Sequence, residues 1–203
     1  MNNNESIIHL EHVTKRFKVG EGEFTALKDI NLDFQKGEFA GFVGPSGSGK
    51  TTLLNIVGSL DSPTEGKAIV MGKNISDLTH KESAYLRNIH IGFIFQVYNL
   101  LPVYTVYENV EFSLILQGVG AAERKKAVME GQRVAIARAM VKRPAILIAD
   151  EPTANLDAKN AHAILKTMKE LNKELNTTFL FSKHDKKVMG YLDRIVHLED
   201  GKV

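Results

Sequence analysis

Nine consecutive residues have the types and order that bind a polyphosphate: Gly44-Pro45-Ser46-Gly47-Ser48-Gly49-Lys50-Thr51-Thr52. They fit G-x-x-x-x-G-K-[ST], the phosphate-binding loop of nucleotide hydrolases. Such a loop wraps phosphate in backbone N–H groups, and its glycines keep Cβ atoms out of the close approach. Lys50 brings a point positive charge to the β- and γ-phosphates, and the Thr51 hydroxyl can ligate Mg²⁺. A helix starting here adds roughly half a positive charge at its N-terminus. With Gly near 7% of residues, a chance match in a chain this long is on the order of one in a hundred, so a plain Gly/Ser turn is disfavoured.

A second group lies a hundred residues on. The apolar run Ile146-Leu147-Ile148-Ala149 ends in Asp150 and Glu151. Ligands of open α/β sheets bind at the C-terminal ends of strands, which is where these two carboxylates would stand. Asp150 is placed to hold Mg²⁺ through water, because Mg²⁺ keeps several of its waters. Glu151 is placed to orient or deprotonate an attacking water.

Both groups need a strand to carry them. Glu38 to Val43 is a short apolar run with aromatic and β-branched residues, and Leu53 to Gly58 continues as a helix with an apolar face, so the loop sits between strand and helix. Ile7 to Phe17 and Thr25 to Phe34 predict an antiparallel hairpin, with Gly20 to Glu23 as its loop. Lys67 to Met71 and Ile91 to Phe95 predict strands, and Thr79-His80-Lys81-Glu82 is a capping box opening a helix to about Asn88. Helices follow at Val106 to Gln117, Ala122 to Met129 and Gln132 to Val141. Ala145 to Asp150 is the most continuous apolar strand and should be central and parallel. Ala158 to Leu175 is a long amphipathic helix; Thr178 to Ser182 and Arg194 to Glu199 are the last strands. Strands alternating with helices predict an α/β fold with a mostly parallel sheet.

Taken together these motifs resemble the ATP-binding subunits of ABC transporters, over nearly the whole chain. The resemblance implies further roles. Phe17 sits where the family stacks an aromatic on adenine. Gln96, in Phe93-Ile94-Phe95-Gln96, matches the glutamine that senses Mg²⁺ and the γ-phosphate. Ala154-Asn155-Leu156-Asp157 matches the D-loop, so Asp157 joins the nucleotide site, and His184 in Ser182-Lys183-His184-Asp185 matches the switch histidine. Leu53 to Gly66, with Tyr98 to Pro102 and Thr105 to Val110, looks like the branch serving lipoprotein release, macrolide and antimicrobial-peptide export, and cell-division signalling.

The implied architecture is a P-loop NTPase domain spanning 1–203. Residues 1–96 and 132–203 form the catalytic core with an antiparallel β part, and 97–131 a helical subdomain. The implied catalytic residues are Glu151, His184 and Gln96. The nucleotide contacts are Phe17, Gly44, Pro45, Ser46, Gly47, Ser48, Gly49, Lys50, Thr51, Thr52 and Asp157, and the Mg²⁺ set is Thr51, Gln96 and Asp150. The implied partners are ATP or ADP, a transmembrane permease subunit and a second copy of the chain closed by ATP. The location implied is the cytoplasmic face of the membrane, reached through the permease.

Two departures stand out. The family carries a Leu-Ser-Gly-Gly-Gln-like signature before the helix that here reads Gln132-Arg133-Val134-Ala135-Ile136-Ala137-Arg138-Ala139. This chain has Val128-Met129-Glu130-Gly131 instead, and the helical segment leading to the signature is also missing. Three accounts compete: a mobile segment omitted at 130–131 from a sequence that joins only ordered residues, an engineered or natural deletion, or a degenerate member that does not hydrolyse. Glu151 and His184 speak against the third. Lys183 is the second departure, where the family has a small or hydroxyl residue.

Composition narrows the alternatives. The 203 residues are 43% hydrophobic, enough for a core, and a net charge of +2 is too mild to argue for nucleic acid. There is no cysteine, which excludes disulfides, thiol nucleophiles and Cys-based zinc sites. No apolar run approaches 18 residues, and Met1 to Ser6 has no signal-peptide core. A nucleotide-dependent clamp without productive hydrolysis is the rival function. A DNA-maintenance ATPase would carry a coiled-coil insertion, and no sustained heptad pattern occurs. A small-molecule kinase would not bring Gln96, Asp157 and His184 together.

Overall fold

The computed structural model describes residues 6–95, 105–129, 134–153, 158–183 and 190–203. Its strands are β1 (Ser6–Val19), β2 (Gly22–Gln35), β3 (Phe39–Val43), β4 (Glu65–Val70), β5 (Lys73–Asn74), β6 (Ile91–Ile94), β7 (Ile146–Asp150), β8 (Thr178–Lys183) and β9 (Arg194–His197). Its helices are α1 (Lys50–Val57), α2 (His80–His90), α3 (Val106–Leu116), α4 (Ala121–Met129), α5 (Val134–Met140) and α6 (Ala158–Leu175). Two sheets form. One is antiparallel in the order β2-β1-β4-β5, the other parallel in the order β6-β7-β8-β3-β9.

The parallel strands are apolar on both faces because each face meets a different core. Ala40 and Phe42 of β3, Ile146 and Ile148 of β7 and Leu180 of β8 point into one core, with Leu53, Leu54, Ile56 and Val57 of α1 and the inner face of the antiparallel sheet. Phe39, Leu147, Ala149, Phe179 and Phe181 point into the other, with Ile136 and Met140 of α5 and Leu165 and Met168 of α6. Alternation along each strand therefore sorts its side chains between two layers. At the second core Phe39 lies 4.7 Å from Phe181 and 5.3 Å from Phe179, centroid to centroid.

The predicted elements are present, with shifted ends. The hairpin strands run longer than expected and pair down to Val19 with Gly22, so Gly20 and Glu21 alone make the turn. The pairing absorbs its irregularities at bulges, where His12 and Asp29 take positive φ. The helix expected from Gln132 starts at Val134 among the described residues, and the strand expected to reach Glu199 stops at His197. β7 is parallel and internal but not the middle strand; β8 holds that place, with Phe179, Leu180 and Phe181 all buried. The two-residue strand β5 was not foreseen, since a pair of polar residues carries no period. The capping box at Thr79 forms: the Glu82 N–H donates to Thr79 Oγ1 at 3.3 Å and the Thr79 N–H to Glu82 Oε2 at 2.9 Å. Thr105 and Glu108 build the same device at the start of α3.

The aromatic layer gives a direct test. Phe179→Ala should lower the unfolding free energy by about 3–5 kcal/mol, the usual cost of truncating a fully buried Phe. The shift in urea midpoint measures it, and a change under about 1 kcal/mol would show that this layer can be vacated without loss.

Candidate functional site

The phosphate loop leaves the C-terminal end of β3 and enters α1. Its backbone is packed too closely for side chains at two glycines. A Cβ at Gly44 would come within 1.9 Å of the Leu198 carbonyl oxygen, and one at Gly49 within 2.6 Å of the Ala26 carbonyl oxygen; Gly49 also sits at φ +103°. Strand β2 and the C-terminal turn thus clamp the loop from two sides. The Gly201 N–H donates to the Ser48 carbonyl at 3.1 Å, and the Lys28 N–H donates to Gly201 at 2.7 Å. Sequence reasoning missed this turn, because its contacts are far apart in the chain.

α1 opens at Gly49 with no side-chain cap and no acidic residue in its first turn. Its first N–H groups have no helix carbonyl to bond and are presented to the loop hollow. The Lys50 ammonium curls over the same hollow. It donates to the Gly44 carbonyl at 2.9 Å, the Pro45 carbonyl at 2.7 Å and Ser48 Oγ at 3.1 Å. Burial pulls the Lys50 ammonium below its ordinary pKa, against the opposing pull of Glu151 and Asp150. A buried cation and a row of uncapped N–H groups suit a polyphosphate.

The carboxylate pair is brought to the same edge. Asp150 ends β7, beside Ser182 of β8. Thr51 Oγ1 donates to Asp150 Oδ2 at 3.0 Å, and Ser182 Oγ donates to Asp150 Oδ1. Glu151 follows with φ +47°, a left-handed backbone, and its N–H donates to the Ser182 carbonyl and to Ser182 Oγ, both at 3.3 Å. A threonine hydroxyl and an aspartate joined across two elements fit a Mg²⁺ ion held largely through water. Among the described residues no cluster of three His, Cys, Asp or Glu side chains could hold a metal by itself.

Of the remaining expected residues, Phe17 lies on β1 opposite Phe24 and is 37% exposed, with Lys15 Nζ 5.1 Å from its ring centre. It belongs to the hairpin whose Ala26 touches Gly49. Gln96, Asp157 and His184 lie outside the described residues, as do Gln132, Arg133 and the 130–131 junction. Lys183 ends β8.

A hollow of about 800 Å³ lies elsewhere. It includes Glu38 and Arg194, which stand at the N-terminal ends of β3 and β9, the opposite end of the sheet from the phosphate loop. A second groove, about 510 Å³, is lined by Leu60, Tyr85, Arg87, Phe93, Leu116 and Lys142. Lys142 Nζ donates there to the carbonyls of Arg87 and Asn88 at 2.8 and 2.9 Å, in the last turn of α2.

A model of the ABC transporter family matches residues 27–154. The chain belongs to this family. It is 41% identical to the ABC transporter ATP-binding protein MJ0796 of Methanocaldococcus jannaschii, over 97% of this chain and 95% of that one. It is 39% identical to the lipoprotein-releasing system ATP-binding protein LolD of Pseudoalteromonas translucida, over 98% and 96%. Its fold superposes on the dimeric, post-hydrolysis structure of the MJ0796 cassette bound to ADP and Pi with a TM-score of 0.90, at 39% identity, covering 97% and 96% of the two chains. The alignment with MJ0796 runs over 223 positions, more than the 203 residues of this ABC chain, so the relative carries residues that this one lacks. Among the described residues no helix is long and apolar enough to cross a membrane.

Burial pushes the Lys142 pKa from 10.5 down to about 8. The unfolded chain then holds this proton to higher pH than the folded one, so stability rises as pH climbs from about 8 toward 10.5. Lys142→Met should remove that rise. Urea midpoints of the two proteins at pH 8 and pH 10 check it: the parent gains on the variant at the higher pH, and equal shifts would rule out the buried ammonium as the cause.

Proposed function

We propose that this chain binds and hydrolyses ATP with Mg²⁺ as the nucleotide subunit of a membrane transporter. The observation that carries the reading is the Thr51–Asp150 hydrogen bond. It ties the phosphate loop to the carboxylate strand, so that triphosphate, cation and water would meet at one edge of the parallel sheet. Gly44 to Thr52 cradle the phosphates, Lys50 neutralises them, and Thr51, Asp150 and Gln96 serve the cation. Phe17 carries the adenine, Glu151 polarises the water, and Asp157 and His184 complete the site around the γ-phosphate. The work is positioning and electrostatics, as in other phosphoryl transfers.

The active unit is a head-to-tail pair closed by ATP, on the precedent of the dimeric MJ0796 cassette. The chain is one domain, with 1–96 and 132–203 as core and 97–131 as helical part. Likeness to LolD supports an exporting or lipoprotein-releasing complex and a place on the cytoplasmic face, held by a permease. We assign the permease contact to the groove between α2 and α3. Exposed Leu60, Tyr85 and Leu116 stand there beside the cationic Arg87 and Lys142, which suits an apolar segment bearing a carboxylate. Tyr85→Asp with Leu116→Asp should leave ATP affinity intact and abolish sedimentation with membranes that contain the cognate permease; retained sedimentation would move the contact elsewhere.

One observation favours the rival clamp: the missing signature removes the wall that a partner would set against the γ-phosphate. Phosphate release separates the two readings. Lys50→Ala should weaken ATP binding at least tenfold by calorimetry. Glu151→Gln should bind ATP within about twofold of the parent, hold an ATP-dependent dimer in gel filtration and release no phosphate. A parent chain that binds ATP and releases no phosphate is a clamp, and a Glu151→Gln variant that turns over at the parent rate removes Glu151 from the mechanism.

A further inference from the structure

Ser182 stands at a junction that the roles above leave unexplained. It is 1% exposed, next to last in β8 and paired with Asp150 in register. Its hydroxyl makes two bonds to the neighbouring strand end: Oγ donates to Asp150 Oδ1 and accepts from the Glu151 N–H at 3.3 Å. Its own carbonyl accepts from the same N–H. One side chain therefore touches both carboxylate residues, one through its side chain and one through its backbone.

We infer that Ser182 is a positioning residue that sets Asp150 and Glu151 for the Mg²⁺-nucleotide, an inference that rests on the reading of those two residues given above. The Asp150 carboxylate has two oxygens and a free torsion. Ser182 holds Oδ1 and Thr51 holds Oδ2, so the plane of the carboxylate is fixed from both sides. Because Thr51 donates its proton to Asp150, its oxygen lone pairs are turned outward, toward a cation. At Glu151 the left-handed backbone is strained for a non-glycine residue and persists only where neighbours hold it. The two acceptors of Ser182 are such a hold, and they set the direction in which the Glu151 side chain leaves the strand. Outer hydrogen bonds of this kind orient metal ligands, and losing one typically lowers metal affinity by about 10–100-fold.

The test is calorimetric titration of ATP into the purified chain, once with Mg²⁺ and once with EDTA. The ratio of the two affinities is the readout, and urea midpoints check folding. Ser182→Ala should cut the Mg²⁺ enhancement about tenfold while leaving the EDTA affinity unchanged. Ser182→Cys, which keeps the volume but bonds weakly, should behave as Ala does, and Ser182→Thr should restore the enhancement. An unchanged ratio in Ser182→Ala and Ser182→Cys overturns the inference. So does equal weakening in both conditions, which marks a merely structural serine. If the parent chain binds no ATP in either condition, the nucleotide reading falls and takes this role with it; a parent that binds while its variants keep the ratio isolates the failure to Ser182.

Discussion

Four of the five parallel strands, β3, β6, β7 and β8, hold their register because their residues are divided between two different cores. Phe179 and Phe181 belong below the sheet and Leu180 above it; Leu147 and Ala149 belong with the first pair, Ile146 and Ile148 with the second. A slip of one residue would exchange these sets and place each aromatic in a layer built for another shape. The same register decides that Asp150 faces Ser182 and that Val43, the last residue before the phosphate loop, lies beside Lys183. The polar edge is aligned by apolar packing several residues away. No polar contact at the edge needs to supply that order.

The phosphate loop depends on a different kind of constraint, the absence of atoms. Gly44 and Gly49 let two carbonyl oxygens, of Leu198 and Ala26, approach where any Cβ would collide. The loop is thereby wedged between the antiparallel sheet and the C-terminal turn, which are themselves joined by the Lys28 N–H bond to Gly201. Lys50, buried among carbonyls, adds a cation whose charge is opposed by burial and supported by Asp150 and Glu151. The site concentrates positive charge on the loop and negative charge at the end of β7, near enough to act on Lys50, which is the field a metal-bound polyphosphate would complete.

Much of this was legible in the sequence because local patterns carried it. The glycine spacing announced the loop, the run Ile146 to Ala149 announced a strand buried on both faces, and Thr79 with Glu82 announced a helix start. The same capping spacing at Thr105 and Glu108 was equally readable and went unused. What could not be read were contacts between residues far apart in the chain: the turn at Leu198 to Gly201 against Ser48, and Ser182 against Asp150. The only hint of the latter was a hydroxyl where a buried strand would favour an apolar side chain. The order of strands was also hidden. An apolar run predicts burial on both faces, which both β7 and β8 satisfy, and cannot say which of them is the middle one.

Glu151 occupies backbone that glycine would adopt without strain. Turning the chain out of β7 and reaching the Ser182 acceptors are tasks of its main chain. Glycine there would relieve the strain while giving the unfolded chain more freedom to lose, so the two effects on stability oppose each other. What glycine could not supply is a carboxylate, so the strained turn and the role proposed for Glu151 fall on one position.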